Sequence, residues 1–247
     1  VIDLGAESTA PFNSKISIDE EFERYRKVFF PFLEKQIDPK KTISIDTYKV
    51  EIFLEAYKQI KKNWPNSPII FNDVSGKIDN EVLSALSDKK LAFTYVLGHN
   101  LAPTRDETSS HMDYTSPLTS FRFLDHLLDF FYDGITQLEK LRKIVVDPCF
   151  GFSKTREQNQ FLIKNFDKFL SQIPSHVSCI YGVSNKSFLR FPAEQDAKNE
   201  QNKNVMEQMQ SILIHQLLQS TSNREVLFRV HRPESIQAAQ NIKYIFD

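Results

Sequence analysis

The stretch Ile144-Val-Val-Asp-Pro-Cys-Phe-Gly-Phe-Ser-Lys-Thr155 decides the fold. Three consecutive apolar, β-branched residues read as the end of a buried strand, and the Asp-Pro that follows stops the strand and turns the chain outward. Asp147 therefore stands at a strand's C-terminal tip. The same design, an apolar strand ending in a polar or glycine-containing turn and followed by a helix, recurs along the chain.

Upstream, Val1 to Leu4 reads as a strand, and Ser17 with Glu20 reads as the cap of a helix whose apolar stripe is Phe22, Tyr25, Val28, Phe29 and Phe32. Ile43 to Ile45 is the next strand, followed by a helix marked by Val50, Phe53, Leu54, Tyr57 and Ile60. The third strand is Ile69 to Phe71, with a short helix at Glu81 to Ser87, and the fourth is Leu91 to Leu97. A polar, irregular stretch from Asn100 to Pro117 suits a loop over a site. A long helix follows it, with Phe121, Leu124, Leu128, Phe131, Ile135 and Leu138 on one face.

Downstream, a helix is expected from Gln158 to Ser171 and a strand from Val177 to Tyr181. Val205, Met209, Ile212, Leu213 and Leu217 mark another helix, Val226 to Phe228 the last strand, and Pro233 starts the closing helix. Seven βα units in strict alternation imply an α/β fold with a parallel sheet and helices outside it. A TIM-type (β/α)8 barrel needs eight strands and about 250 residues, so the strand out of view is expected ahead of Val1 in this chain of 247 residues. A doubly wound open sheet ranks second, because its G-x-G-x-x-G turn is absent.

Composition narrows the function. Lys+Arg 31 against Asp+Glu 32 leaves a net charge of -1, which argues against a nucleic-acid binder. Two cysteines, Cys149 and Cys179, cannot build a disulfide framework and read as small buried side chains in a reducing, cytoplasmic setting. No apolar run approaches the roughly 18 residues of a membrane span, and no signal peptide is visible.

Five of the six glycines, Gly5, Gly76, Gly98, Gly151 and Gly182, follow strands and mark one rim as the working face. The same rim holds Asp46, Asn72, Asp147, Lys186, Arg229 and His231. Carboxylates accept from ring N–H and amino groups, an amide does both, and Lys186 donates to a carbonyl, so the set suits the edge of an aminopyrimidinone. Arg229 and His231 suit phosphate. Each such residue alone is also an ordinary turn or cap residue. His99 and Lys154 stay open between structural and functional roles, and His111, His126, His176 and His215 are expected on surfaces or helices.

On these residues the chain resembles dihydropteroate synthase, a pterin-binding enzyme family. The matching segments are Ile2-Asp-Leu-Gly-Ala-Glu-Ser-Thr-Ala-Pro11, Ile43-Ser-Ile-Asp-Thr47, Phe71-Asn-Asp-Val-Ser-Gly76, Gly98-His99, Asp147-Pro-Cys-Phe-Gly-Phe-Ser-Lys154, Gly182-Val-Ser-Asn-Lys-Ser-Phe188 and Arg229-Val-His231. The resemblance implies one pterin-binding barrel over residues 1–247, joining 6-hydroxymethyl-7,8-dihydropterin pyrophosphate to para-aminobenzoate. It implies pterin on Asp46, Asn72, Asp147, Lys186 and Arg229, phosphate on Arg229 and His231, and aminobenzoate, with competing sulfonamides, near Thr9, Pro11, Phe152 and Ser187. No nucleophile is expected; Asp147 and Lys186 position the substrate. Mg2+ is expected with the pyrophosphate, its protein ligand lying in the segment ahead of Val1. A homodimer is expected, and a fused hydroxymethylpterin pyrophosphokinase is left open.

The chain departs from the family at Ala10 and Asn185, where Arg is usual, at Cys149, where Gly is usual, and at Arg232, where Asp is common. With the first loop out of view, residues 1–247 are expected to bind pterin better than they turn it over. Two other readings stay open: a degenerate pterin binder supporting a partner or fused enzyme, and a cobalamin-linked methyltransferase domain that binds a folate.

Overall fold

Seven parallel strands pair in sequence order: β1 (Ile2–Leu4), β2 (Ile43–Asp46), β3 (Ile69–Asp73), β4 (Thr94–Gly98), β5 (Ile144–Asp147), β6 (Ser178–Tyr181) and β7 (Val226–Phe228). The structure, a computed structural model, describes residues 1–9, 13–35, 40–189, 200–220 and 225–246, without the side chains of 187, 200–204, 220 and 242–246. Helices return the chain between strands: α1 (Ile18–Arg24) and α2 (Phe30–Glu34), α3 (Val50–Asn63), α4 (Asn80–Ser87), α5 (Ser120–Leu138), α6 (Arg156–Lys164) and α7 (Phe166–Gln172), α8 (Glu200–Ser220), and α9 (Glu234–Phe246) after the last strand. The sheet curls as a TIM-type barrel does, bringing the end of β7 to β1. Arg229, just past β7, reaches Asp3 in β1 at 2.9 Å, although no ladder joins the two strands among the described residues. That gap has room for the eighth strand that a closed barrel of this type needs.

Alternation along the strands sorts two cores. Val96, Val145 and Ile180, with Ile70 and Leu227, form a small cluster inside the curl. The other face packs on the helices and holds the aromatic mass: Phe53 stacks on Phe71 at 4.1 Å, and Phe150 and Phe166 meet Tyr181 edge-on at 5.2 and 4.8 Å. Burying an aromatic side chain of this kind stabilises the fold by roughly 1.5–3 kcal/mol.

Several elements differ from the sequence reading for local reasons. The turn Tyr25–Phe29 is a π-helix in which the Phe30 N–H reaches Tyr25 O, and the extra residue rotates the stripe, so Val28 is 75% exposed while Leu33 is buried. The expected helix from Gln158 to Ser171 breaks at Asn165, whose side chain donates to Phe161 O at 2.9 Å instead of letting the helix run on. Leu91 to Phe93 lies outside β4, and the Ala92 N–H bonds Tyr57 Oη rather than a neighbouring strand. On α8 the buried face is Met206, Gln210, Ile214 and Leu217, while Val205 and Ile212 are exposed. Phe121, at the start of α5, is exposed too.

Candidate active site

Two residues beyond the inward-facing strand positions, alternation brings the chain to the C-terminal rim. From Asp3, Ser44, Ile70, Val96, Val145, Ile180 and Leu227 the step of two reaches Gly5, Asp46, Asn72, Gly98, Asp147, Gly182 and Arg229. Polar side chains and glycines thus share one register, and the glycines leave room beside the polar groups. A Cβ on Gly5 would stand 3.1 Å from Asp46 O, and one on Gly182 3.4 Å from Arg229 Cβ.

Asp46, at the end of β2, pairs with the Arg229 guanidinium. Burial raises the Asp46 pKa to about 6, opposed by Arg229 and assisted by the charges of Asp3 and Asp147. Asn72, beside Asp46 in the ladder, is 2% exposed, and its Oδ1 has no hydrogen-bond partner among the described residues. A buried, unpartnered acceptor costs roughly 1–3 kcal/mol unless a ligand or water meets it. Asp147 is buried and accepts the Cys149 N–H at 2.7 Å, and burial raises its pKa. Lys186 comes from the turn after β6, its Nζ 5.2 Å from the Phe152 ring centre, and burial lowers its pKa. A Cβ on Gly151, whose φ is +85°, would touch Lys186 Cδ at 3.5 Å.

His231 Nδ1 lies 2.7 Å from Ser184 Oγ, which also accepts the His231 backbone N–H at 3.3 Å. With the hydroxyl donating to Nδ1, Nε2–H is left as a donor toward an anion. Burial and the Arg229 charge lower the His231 pKa. Thr9 and Phe152 are joined through His111, which lies in a 3-10 helix (Arg105–Asp113), one of the two expected placements, and is buried there. The His111 ring stacks on Phe152 at 4.0 Å and 16°, and Nε2 lies 3.2 Å from Thr9 O. Pro11 lies outside the described residues, as does the Ser187 side chain.

Two charged groups, Arg105 and Lys49, escaped the sequence reading; Lys154, which it names, joins them. Arg105 donates to both Asp73 oxygens (3.0 and 2.9 Å), to Asp79, and to the carbonyls of Tyr48 and Lys77, and so holds the Asn100–Pro117 loop over the rim. Lys49 joins Glu7, Glu21 and Ile16 O within 2.7–2.8 Å, fixing the chain on either side of the loop that follows β1. Lys154 is 1% exposed and donates to His99 Nδ1, Phe152 O and Cys149 O, which settles both residues as braces of the turn after Asp147. Sequence carried no signal for these links, because every partner is distant in the chain or lies on the backbone. Cys149 and Cys179 are free and buried, as expected.

The curled parallel barrel carries carboxylates, an amide and cations together on its C-terminal rim. The chain belongs to the pterin binding enzyme family, whose profile matches residues 1–216, and it is dihydropteroate synthase-like. It is 29% identical over 199 residues to the mitochondrial folate synthesis bifunctional protein of Pisum sativum, covering 76% of this chain and 36% of that one. It is 29% identical over 197 residues to dihydropteroate synthase type-3 of Escherichia coli, covering 76% and 66%. The match thus spans about a third of the plant protein and just under two thirds of the bacterial one.

Among solved structures, dihydropteroate synthase from Anaplasma phagocytophilum with bound 6-hydroxymethylpterin-monophosphate superposes with a TM-score of 0.72 at 21% identity, covering 100% of this chain and 88% of that one. The Yersinia pestis enzyme with a sulfonamide drug gives 0.70 at 18% identity, covering 99% and 79%. These likenesses establish the shared barrel. No helix among the described residues is long and apolar enough to cross a membrane.

Proposed function

We propose that the protein is a dihydropteroate synthase, a transferase that joins 6-hydroxymethyl-7,8-dihydropterin pyrophosphate to para-aminobenzoate and releases pyrophosphate. One observation carries this reading: the buried, unpartnered Asn72 Oδ1 on the rim that also holds Asp46, Asp147 and Lys186. An amide acceptor left bare in that setting fits a heterocycle that brings its own N–H groups. On this reading Asn72, Asp46 and Asp147 accept from the pterin, Lys186 donates to its carbonyl, and Arg229 and His231 hold the phosphates.

The C–O bond to pyrophosphate breaks first, the carboxylates favour the cationic pterin methylene, the arylamine nitrogen forms the new C–N bond, and its proton leaves. Side chains position reactants and stabilise charge, and no nucleophile takes part. Thr9 and Phe152 border the arylamine, where sulfonamides compete. Magnesium enters as the counter-ion of the pyrophosphate. Among the described residues no group of three or more His, Cys, Asp or Glu could hold a metal ion, so no step is assigned to one. The exposed Val205 and Ile212 on α8 offer an apolar face for a homodimer. A cytoplasmic setting and a fused hydroxymethylpterin pyrophosphokinase remain part of the proposal.

Calorimetric titration tests it: the pterin pyrophosphate first, then para-aminobenzoate with pyrophosphate and magnesium, on wild type and Asp147→Ala. Pterin binding that the substitution abolishes, with aminobenzoate binding only afterward, is the expected result. Absence of pterin binding in the wild type refutes the reading.

A further inference from the structure

We infer that His111 is a positioning residue of the arylamine subsite, a strut that sets the separation of Thr9 and Phe152; this rests on the synthase reading. His111 is fully buried, and it touches Thr9 and Phe152, two of the four residues that the reading assigns to that subsite. Its two nitrogens have opposite duties. Nε2–H donates to Thr9 O at 3.2 Å, and Nδ1 accepts the Ser153 N–H at 3.4 Å, so the two bonds select one neutral tautomer. Burial pulls the His111 pKa to about 4, which keeps the ring neutral at ordinary pH.

Around the ring the backbone is pinned from several sides. Ser153 Oγ donates to His111 O at 3.0 Å, and Ser153 itself has a φ of +46°. Arg105, in the same 3-10 segment (Arg105–Asp113), is anchored to the end of β3 through Asp73. His111 therefore transmits a fixed point on the barrel to two loops that border the arylamine. Nε2–H ties Thr9, in the loop after β1 that Lys49 also holds through Glu7 and Ile16 O, and the Phe152 ring is held face to face at 4.0 Å. A ring so placed acts on where the arylamine sits, while Asp46, Asn72 and Asp147 are carried by strands that it does not hold.

The test uses the full-length protein and two substitutions that separate the contacts. His111→Phe keeps a ring against Phe152 and loses the donor to Thr9; His111→Gln keeps a donor at similar reach. His111→Phe is expected to raise the KM for para-aminobenzoate about tenfold, the equivalent of one hydrogen bond, with kcat and the KM for the pterin pyrophosphate little changed. His111→Gln is expected to restore most of that loss. An unchanged aminobenzoate KM in His111→Phe, or an equal rise in both KM values, overturns the strut.

A second readout needs no substrate. In His111→Phe, amide hydrogen exchange of Ser153 and Thr9 is expected to quicken relative to wild type, and equal exchange overturns the inference. Wild type that binds neither substrate refutes the synthase reading, and the exchange comparison then still decides whether His111 holds the two loops.

Discussion

Arg229 Nε donates to Asp3 Oδ2 at 2.9 Å, joining the tip of the seventh strand to the inner face of the first. The same guanidinium pairs with Asp46 at the end of the second strand. One side chain thus spans the open seam of the barrel and sits in the proposed pterin site, so closure and binding share a residue.

Arg229→Ala separates these roles. The guanidinium side chain is 37% exposed, so its ion pairs are screened, and their loss should cost the fold only about 1 kcal/mol. Pterin pyrophosphate affinity should fall tenfold or more, since a charge-assisted phosphate contact is lost, about 1.5–3 kcal/mol. Thermal denaturation and calorimetry read the two effects independently.

Asp46 makes stability depend on pH. Its folded pKa of about 6 lies above the ordinary value of 3.8, so between those values the folded protein binds more protons than the unfolded chain. Stability in the ligand-free protein therefore falls as pH rises through that window, contrary to the usual paired carboxylate. Asp46→Asn should flatten this part of the wild-type curve, and the difference between the two melting profiles isolates the group.

Asn72→Leu should leave stability unchanged or improve it, because the bare Oδ1 contributes nothing to the ligand-free fold and the replacement has similar volume. Pterin binding should be abolished. Urea unfolding beside calorimetry checks both, and a large loss of stability would mean that Asn72 serves the fold.

Lys154→Met should destabilise by roughly 3 kcal/mol, since His99 Nδ1 and the Phe152 carbonyl would lose their donor in a buried setting, while the Cys149 carbonyl would keep the Phe152 N–H. Lys154→Arg should not rescue it, because a planar guanidinium does not fit the site of a compact ammonium. Chemical denaturation gives the magnitude.

Strand tips were legible because alternation is local. The Ile-Val-Val-Asp stretch and its counterparts fix which residues face inward, and two steps further lie Asp46, Asn72, Asp147 and Arg229. Helix faces were less legible where local geometry broke the period: the π-turn at Tyr25–Phe29 turned Val28 outward, and Asn165 split one expected helix into two. Histidines were the least legible. His111 reads as a surface or helix residue, and its burial depends on Thr9, 102 positions away, and on the ring of Phe152.

The sequence by itself determined the alternation of strand and helix, the inward register of each strand, and hence the residue types at the rim, since each follows from spacings of two, three and four along the chain. Tertiary structure alone decided which charges neutralise one another. Arg229 with Asp3 and Asp46, Arg105 with Asp73, and Lys49 with Glu7 and Glu21 meet only after the sheet curls. The physical reason is range: backbone geometry couples near neighbours, whereas a buried charge is held by whichever partner folding brings within about 3 Å of it.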